Sequence, residues 1–172
     1  WGNPLFRWDV MREDGYSWWT MRLRKMSTLY DVIRIDHFRG FDSYYAIPGK
    51  DTTARNGVWR NGPGMELFRA VEEKLGKLDI IVEDLGFLTP SVLQLVADSG
   101  YPGMKVVQFA FDSRDDSDYM PHNYDKHCVV YTGTHDNDTI LGWMKQAPKN
   151  SVKKAKEYLR MTKEEGYNWG MM

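Results

Sequence analysis

The sequence predicts an α/β fold, specifically part of a (β/α)8 TIM barrel with about four consecutive strands and their helices. Three observations lead there. Short β-branched apolar runs alternate with segments of helical period, which argues for right-handed βαβ units and a parallel sheet. Charged residues stand at the carboxyl ends of those runs, where a barrel opens its mouth. No glycine-rich phosphate turn follows a strand, as a nucleotide-binding doubly wound sheet usually requires. A full barrel takes about 250 residues, and this chain has 172.

The elements follow in order. Residues 16–30 place Trp18, Trp19, Met21, Leu23, Met26 and Leu29 at helical spacing. Arg22, Arg24 and Lys25 crowd the end where a helix dipole favours cations. Val32 to Asp36 reads as a short buried strand, and residues 42–64, with Gly49, Gly57, Gly62, Pro63 and Gly64, as loop. Met65 to Leu75 is helical by period, with Gly76 as its stop. Asp79 to Glu83 is a second strand. Thr89 at an N-cap and Pro90 in the first turn open a helix that runs to about Ser99 and ends at Gly100. Met104 to Phe111 reads as a third strand and Cys128 to Thr132 as a fourth, joined by a long Asp-rich loop over 112–127 with at most a short helix. Helix resumes from Thr139 through Met144 and, after Pro148, from Val152 to Met161. Residues 167–172 keep helical apolar spacing to the last position.

Composition narrows the function classes. Hydrophobic residues at 42% and charged residues at 27% are ordinary for a globular domain with a real core. Aromatics at 14% suggest stacking surfaces, although a filled core accounts for much of that. A net charge of -1 favours neither nucleic acid nor an anionic membrane as a partner. No apolar run approaches the roughly 20 residues of a membrane span, and no signal peptide is visible. The lone Cys128, in the apolar run Cys128-Val129-Val130-Tyr131, cannot form an internal disulfide. It reads as a buried, inert thiol in a reducing, cytoplasmic setting. The chain opens on Trp1 rather than Met, so one partial catalytic domain over 1–172, cut at both ends, is expected. Oligomeric state is not legible.

Three strand-end segments carry the chemistry: Arg34 to Phe41, Val82 to Gly86, and Thr132 to Thr139. Arg34 and Asp36 are two apart, so a strand puts both on one face. An adjacent cation favours an ionised Asp36, and a fixed carboxylate is a competent nucleophile for an anomeric carbon. The same pair also reads as an ordinary structural ion pair. Glu83 beside Asp84, facing an apolar interior, fits a general acid; either residue also fits as a cap for the following loop. His135 and Asp136 are suited to donating to and accepting from sugar hydroxyls. The alternative there is an Asx-rich turn at a helix start, which explains Asp138 better than Asp136.

The three segments together resemble the central part of a 4-alpha-glucanotransferase of the amylomaltase or disproportionating-enzyme family, within the alpha-amylase clan. The likeness runs nearly end to end. It includes Trp1-Gly2-Asn3-Pro4-Leu5, Gly15-Tyr16-Ser17-Trp18-Trp19, Arg34-Ile35-Asp36-His37-Phe38-Arg39-Gly40-Phe41, Val82-Glu83-Asp84-Leu85-Gly86, Pro102-Gly103-Met104-Lys105 and Thr132-Gly133-Thr134-His135-Asp136-Asn137-Asp138-Thr139. Asn56-Gly57, Gly62-Pro63-Gly64 and Gln108-Phe109-Ala110-Phe111 extend it.

The resemblance implies Asp36 as nucleophile, Glu83 as general acid/base and Asp136 as transition-state stabiliser. Arg34 would hold Asp36 ionised and His135 would bind sugar hydroxyls. His37 and Arg39 share the motif, and Tyr44 or Tyr45 would stack on a glucose. It further implies retention through a covalent glucosyl-enzyme, with alpha-1,4-glucans (maltooligosaccharides, starch or glycogen) as partners and no metal or organic cofactor. Three rivals remain. A hydrolase of the same clan differs only in using water as acceptor. A non-catalytic glucan-binding fragment fits the aromatics but not the carboxylates. A metal-dependent barrel lyase needs a base at the strand end, whereas Lys105 lies near a strand start.

Overall fold

The computed structural model describes residues 2–112 and 118–162. The chain forms two compact units, Trp1–Gly103 and Met104–Met172.

The first unit opens with α1 (Trp8–Glu13) and α2 (Ser17–Ser27). The short α1 is absent from the sequence-based reading. Between the helices Gly15 (φ 63°) and Tyr16 (φ 57°) take left-handed conformations, and the Tyr16 N–H donates to the Met11 carbonyl (2.7 Å). Helix α2 buries one face only: Leu23 is in the core with Trp19 and Met26 packed on it, while Trp18 and Met21 are exposed; Leu29, expected on the same helix, lies past its end and is exposed.

The first strand, β1 (Ile33–Ile35), is followed by a 3-10 turn over Phe38–Phe41. Strands β2 (Ser43–Ala46) and β3 (Val58–Asn61) then form an antiparallel hairpin, with Tyr44 opposite Arg60 and Tyr45 opposite Trp59. This corrects the loop expected over 42–64. All four residues of β3 are exposed, so the strand carries no buried-face alternation for a sequence to display. Helix α3 (Met65–Leu75) ends at Gly76 as predicted, and β4 (Ile80–Val82) follows. Helix α4 (Pro90–Ser99) has the predicted cap: Thr89 Oγ1 accepts the Val92 N–H (3.4 Å), and Gly100 (φ 64°) closes it in the left-handed region where a side chain is disfavoured.

Strands β1 and β4 pair in parallel, with Ile33 beside Ile80, Arg34 beside Ile81 and Ile35 beside Val82. One face of this pair, Ile33, Ile35, Ile80 and Val82, is buried with Leu67, Phe68 and Val71 of α3 and Leu95 of α4. Phe38, Phe41 and Phe68 form an aromatic centre, with Phe41 and Phe68 rings 5.1 Å apart in T-shaped contact. The opposite face presents Arg34 and Ile81, both only half-buried. The Val82 N–H donates to the Pro102 carbonyl (3.0 Å), which ties the chain after α4 to the same edge.

The second unit contains β5 (Gly103–Val106), which starts on the last residue of the first unit, and α5 (Val107–Asp112). The strand expected over 104–111 is therefore half strand and half helix. An apolar run of that length fits either period. The Gln108 side chain selects the turn inward: it is buried, and its Nε2 donates to the Asp138 carbonyl (2.8 Å). Strand β6 (Cys128–Tyr131) pairs with β5. Within the 112–127 stretch, Pro121–Asn123 make a 3-10 turn, and 113–117 lie outside the described residues.

Cys128 is half-buried, not buried as expected, and its Sγ donates to the Asp125 carbonyl (3.1 Å). Helices α6 (Ile140–Gln146) and α7 (Lys149–Tyr158) complete the unit. The last helix starts and ends three residues earlier than predicted. The 167–172 segment lies outside the described residues. The core here is smaller: Ala110, Phe111, Met120, Trp143 and Ala155. Among the described residues no helix is long and apolar enough to cross a membrane.

Candidate active site

Parallel register sets the first half of the site. Continuing the pairing of Ile35 with Val82 by one step puts Asp36 opposite Glu83. The Glu83 N–H, donating to the Ile35 carbonyl (2.9 Å), fits that step; the ladder then breaks at His37, and the Phe38 N–H takes the Glu83 carbonyl instead (3.0 Å). Neighbouring strands lie about 4.8 Å apart, and side chains paired in parallel register leave the sheet on one face. Asp36 and Glu83 therefore share the face that carries Arg34, opposite the helices.

Each carboxylate is held. Arg34 Nη1 donates to Asp36 Oδ1 (2.6 Å). The Asp36 side chain is 68% exposed and that of Arg34 29%, so the cation is the better anchored partner. Glu83 Oε2 accepts the His37 N–H (2.7 Å) and Oε1 accepts the Leu85 N–H (2.9 Å). His37 supplies that donor from a left-handed backbone (φ 48°, ψ 52°), a conformation costly for a residue with a Cβ. It turns the chain out of β1 and aims an N–H across at Glu83. Asp84 packs against Gly103 so closely that a Cβ there would lie 2.4 Å from Asp84 Oδ2.

A cavity of about 230 Å³ opens beside Asp36 and His37, walled by Phe6, Trp8, Trp19 and Tyr44. Phe6 and Trp8 carry no signal in the sequence pattern beyond a high local density of rings, which packing alone would also produce, and Trp19 reads there only as part of a helix face and a family motif. Tyr44 lines this cavity, whereas the Tyr45 hydroxyl donates to the Ala54 carbonyl (3.0 Å) and its ring meets Trp59 edge-on (5.3 Å).

In the second unit, His135 and Asp136 sit on the turn between β6 and α6. Asn137 Oδ1 accepts both the N–H and the Oγ1 of Thr134 (2.9 and 3.0 Å), and the Asp136 N–H donates to Thr134 Oγ1 (3.3 Å). His135 Nε2 lies 3.4 Å from Asp136 Oδ2, and both side chains are about three-quarters exposed. Asp138 is committed to the helix start: Oδ1 accepts the Thr139 N–H (2.7 Å) and Oδ2 accepts Gln146 Nε2 (2.8 Å). The capping alternative thus accounts for Asp138 and leaves Asp136 outside the cap. The structure brings Arg34, Asp36, His37 and Glu83 together in one unit, and His135 with Asp136 in the other. Among the described residues no group of three or more His, Cys, Asp or Glu is gathered to hold a metal ion.

Fold and site define an α/β protein with paired carboxylates at the ends of adjacent parallel strands. The chain belongs to the 4-alpha-glucanotransferase family, whose model matches residues 1–172. It is 48% identical over 173 residues to a 4-alpha-glucanotransferase of Clostridium butyricum, covering 100% of this chain and 36% of that protein. A 4-alpha-glucanotransferase of Streptococcus pneumoniae is 54% identical over 143 residues, covering 83% of this chain and 28% of the relative. The fold is similar to that of an amylomaltase from Streptococcus agalactiae in complex with acarbose (TM-score 0.88, 41% identity), over 94% of this chain and 33% of that one. The chain thus spans about a third of the length of the relatives it matches.

Proposed function

We propose that the full-length protein carrying this chain is a 4-alpha-glucanotransferase that moves alpha-1,4-glucan segments to an acceptor glucan or glucose with retention. The observation that carries this reading is the register of Asp36 opposite Glu83, each tied by a short hydrogen bond. Retaining enzymes of this chemistry hold their two carboxyl groups roughly 5–5.5 Å apart, and one strand spacing, about 4.8 Å, is of that size. Asp36 attacks the anomeric carbon as Glu83 passes its proton to the departing glycosidic oxygen, which leaves a glucosyl ester on Asp36. An acceptor hydroxyl then gives its proton to Glu83 and its oxygen to the anomeric carbon, and Asp36 departs as carboxylate.

Arg34 holds the Asp36 carboxylate in place for the attack through its hydrogen bond to Oδ1. Asp136 stabilises the oxocarbenium-like transition state, and His135, His37 and Tyr45 bind sugar hydroxyls or faces. The mechanism calls for no metal or organic cofactor. The helix-free face of β1 and β4 supports reading them as neighbouring staves of a (β/α)8 barrel with Arg34, Asp36 and Glu83 toward its interior. Residues 1–172 are then one stretch of a single catalytic barrel. The acarbose in the similar amylomaltase supports a glucan-type ligand, and the lone Cys128 supports a cytoplasmic setting.

Product analysis from maltotriose tests the reaction. A ladder of longer glucans with glucose is the expected result; shortened products without a ladder mean hydrolysis instead. Asp36→Asn in the full-length protein should cut turnover about a thousandfold or more, as loss of a covalent nucleophile does, while leaving the melting temperature near that of the parent.

A further inference from the structure

Beside the candidate site lies a larger open groove of about 940 Å³, lined by Arg39, Asp42, Trp59, Phe87, Thr89 and Ser91 among others. Its polar groups are turned toward one another. Arg39 Nη1 donates to the Phe87 carbonyl, and its guanidinium lies 4.7 Å from the Trp59 ring centroid and 6.0 Å from that of Phe87. Asp42 Oδ2 accepts from both Ser43 Oγ (2.9 Å) and Ser91 Oγ (3.0 Å). The Gly62 N–H donates to the Asp42 carbonyl (2.7 Å) and the Gly64 N–H to the Phe41 carbonyl (2.8 Å). The groove is thus a set of struts joining the turn after Asp36, the β2–β3 hairpin, and the segment from Glu83 to α4.

That last segment has reason to be strutted. Residues 83–89 form no regular structure, and Gly86 (φ 88°) gives them a permissive hinge. Yet Leu85, inside it, supplies one of the two N–H donors that orient the Glu83 carboxylate. Phe87 is two residues further on and 79% exposed, so its side chain has little packing to hold it. We propose that Arg39 is a positioning residue for Glu83. By gripping the Phe87 carbonyl while braced on Trp59, it holds the 83–89 segment so that the Leu85 N–H stays on the carboxyl that serves as acid and base. The planar guanidinium suits the task because it stacks and donates at the same time; an ammonium does one or the other.

The inference rests on the role proposed for Glu83, and its test separates the two. In the full-length protein, Arg39→Ala and Arg39→Lys are compared with wild type and with Glu83→Gln. Hydrogen exchange at the amides of 84–88 reads the clamp itself: faster exchange in Arg39→Ala, partly restored by Lys, is expected, and unchanged exchange overturns the clamp whatever Glu83 does. Steady-state rates read the consequence. With maltotriose, whose leaving group needs a proton, Arg39→Ala should lower kcat about tenfold with KM within about twofold. With a glucosyl fluoride, whose leaving group does not, its first half-reaction should stay near wild type. Equal loss on both donors in Arg39→Ala, with Glu83→Gln still discriminating between them, overturns the positioning role. If exchange rises but Glu83→Gln also fails to discriminate, the acid/base assignment of Glu83 falls and the positioning role falls with it.

Discussion

The two units hold their candidate catalytic groups in different ways. In the first, Asp36 and Glu83 inherit their positions from paired strands, and a buried aromatic core lies directly behind them. In the second, His135 and Asp136 stand on a turn organised by Thr134 and Asn137, and both side chains are largely exposed. Strand register sets the backbone that carries the first pair. The turn that carries the second depends on three local hydrogen bonds. The proposed nucleophile and acid/base thus follow directly on paired strands, and the proposed stabilising pair stands on a turn shaped by local hydrogen bonds.

That contrast breaks first in the core. Phe68→Ala removes the ring on which Phe38, Phe41 and Tyr101 converge and should cost about 3–5 kcal/mol, read as a lower denaturant midpoint; a loss under about 1 kcal/mol would mean the aromatic centre does not back the strand pair. Next comes the turn. Asn137→Ala deletes the acceptor for both Thr134 donors and should lower turnover about tenfold, for a stability cost of only about 1 kcal/mol. Unchanged turnover would show that the turn does not position Asp136.

Smaller still, Thr139→Ala removes the side-chain acceptor of the Gly142 N–H (3.1 Å) at the start of α6 and should cost about 1 kcal/mol. Thr89→Ala, whose bond is longer at 3.4 Å, should cost less, and paired thermal melts would order them. The smallest effect is a pH dependence. The Tyr124 hydroxyl finds no hydrogen-bond partner among the described residues and lines an apolar cavity of about 220 Å³ with Phe111 and Leu159. Burial pushes its pKa up to about 12, above the unfolded value near 10. A raised folded pKa gives stability that is complete below about pH 10 and is lost as pH rises toward 12. Tyr124→Phe should leave neutral-pH melting unchanged and shrink the fall in melting temperature between pH 10 and 12; an equal fall in both proteins would contradict the assignment.

Where sequence pattern and structure agree, one local cause decides both. Met65 to Leu75 carries a clear apolar stripe and a glycine stop, and Thr89-Pro90 is a cap followed by a first-turn proline; both helices appear where predicted. The strands β1 and β4 were legible because Ile33, Ile35, Ile80 and Val82 alternate with polar or half-exposed neighbours. The β2–β3 hairpin was not, since β3 buries nothing, and the change from β5 to α5 was hidden in an apolar run that satisfies both periods.

The site divides similarly. Residue types and strand-end positions make Arg34, Asp36, Glu83, His135 and Asp136 candidates. The left-handed backbone of His37, the N–H grip on Glu83 and the wall of Phe6, Trp8 and Trp19 arise only when distant segments meet, and no spacing rule encodes them.

The proposed mechanism turns on Asp36 forming the glucosyl ester opposite Glu83. The most direct measurement is peptide mapping by mass spectrometry of the full-length Glu83→Gln protein after exposure to a glucosyl fluoride. This donor forms the ester without an acid, and the missing base slows its release. One added glucosyl mass is expected on the peptide containing Asp36, absent in Asp36→Asn. A glucosyl mass on another residue, or none while donor is still consumed with retention, would contradict it.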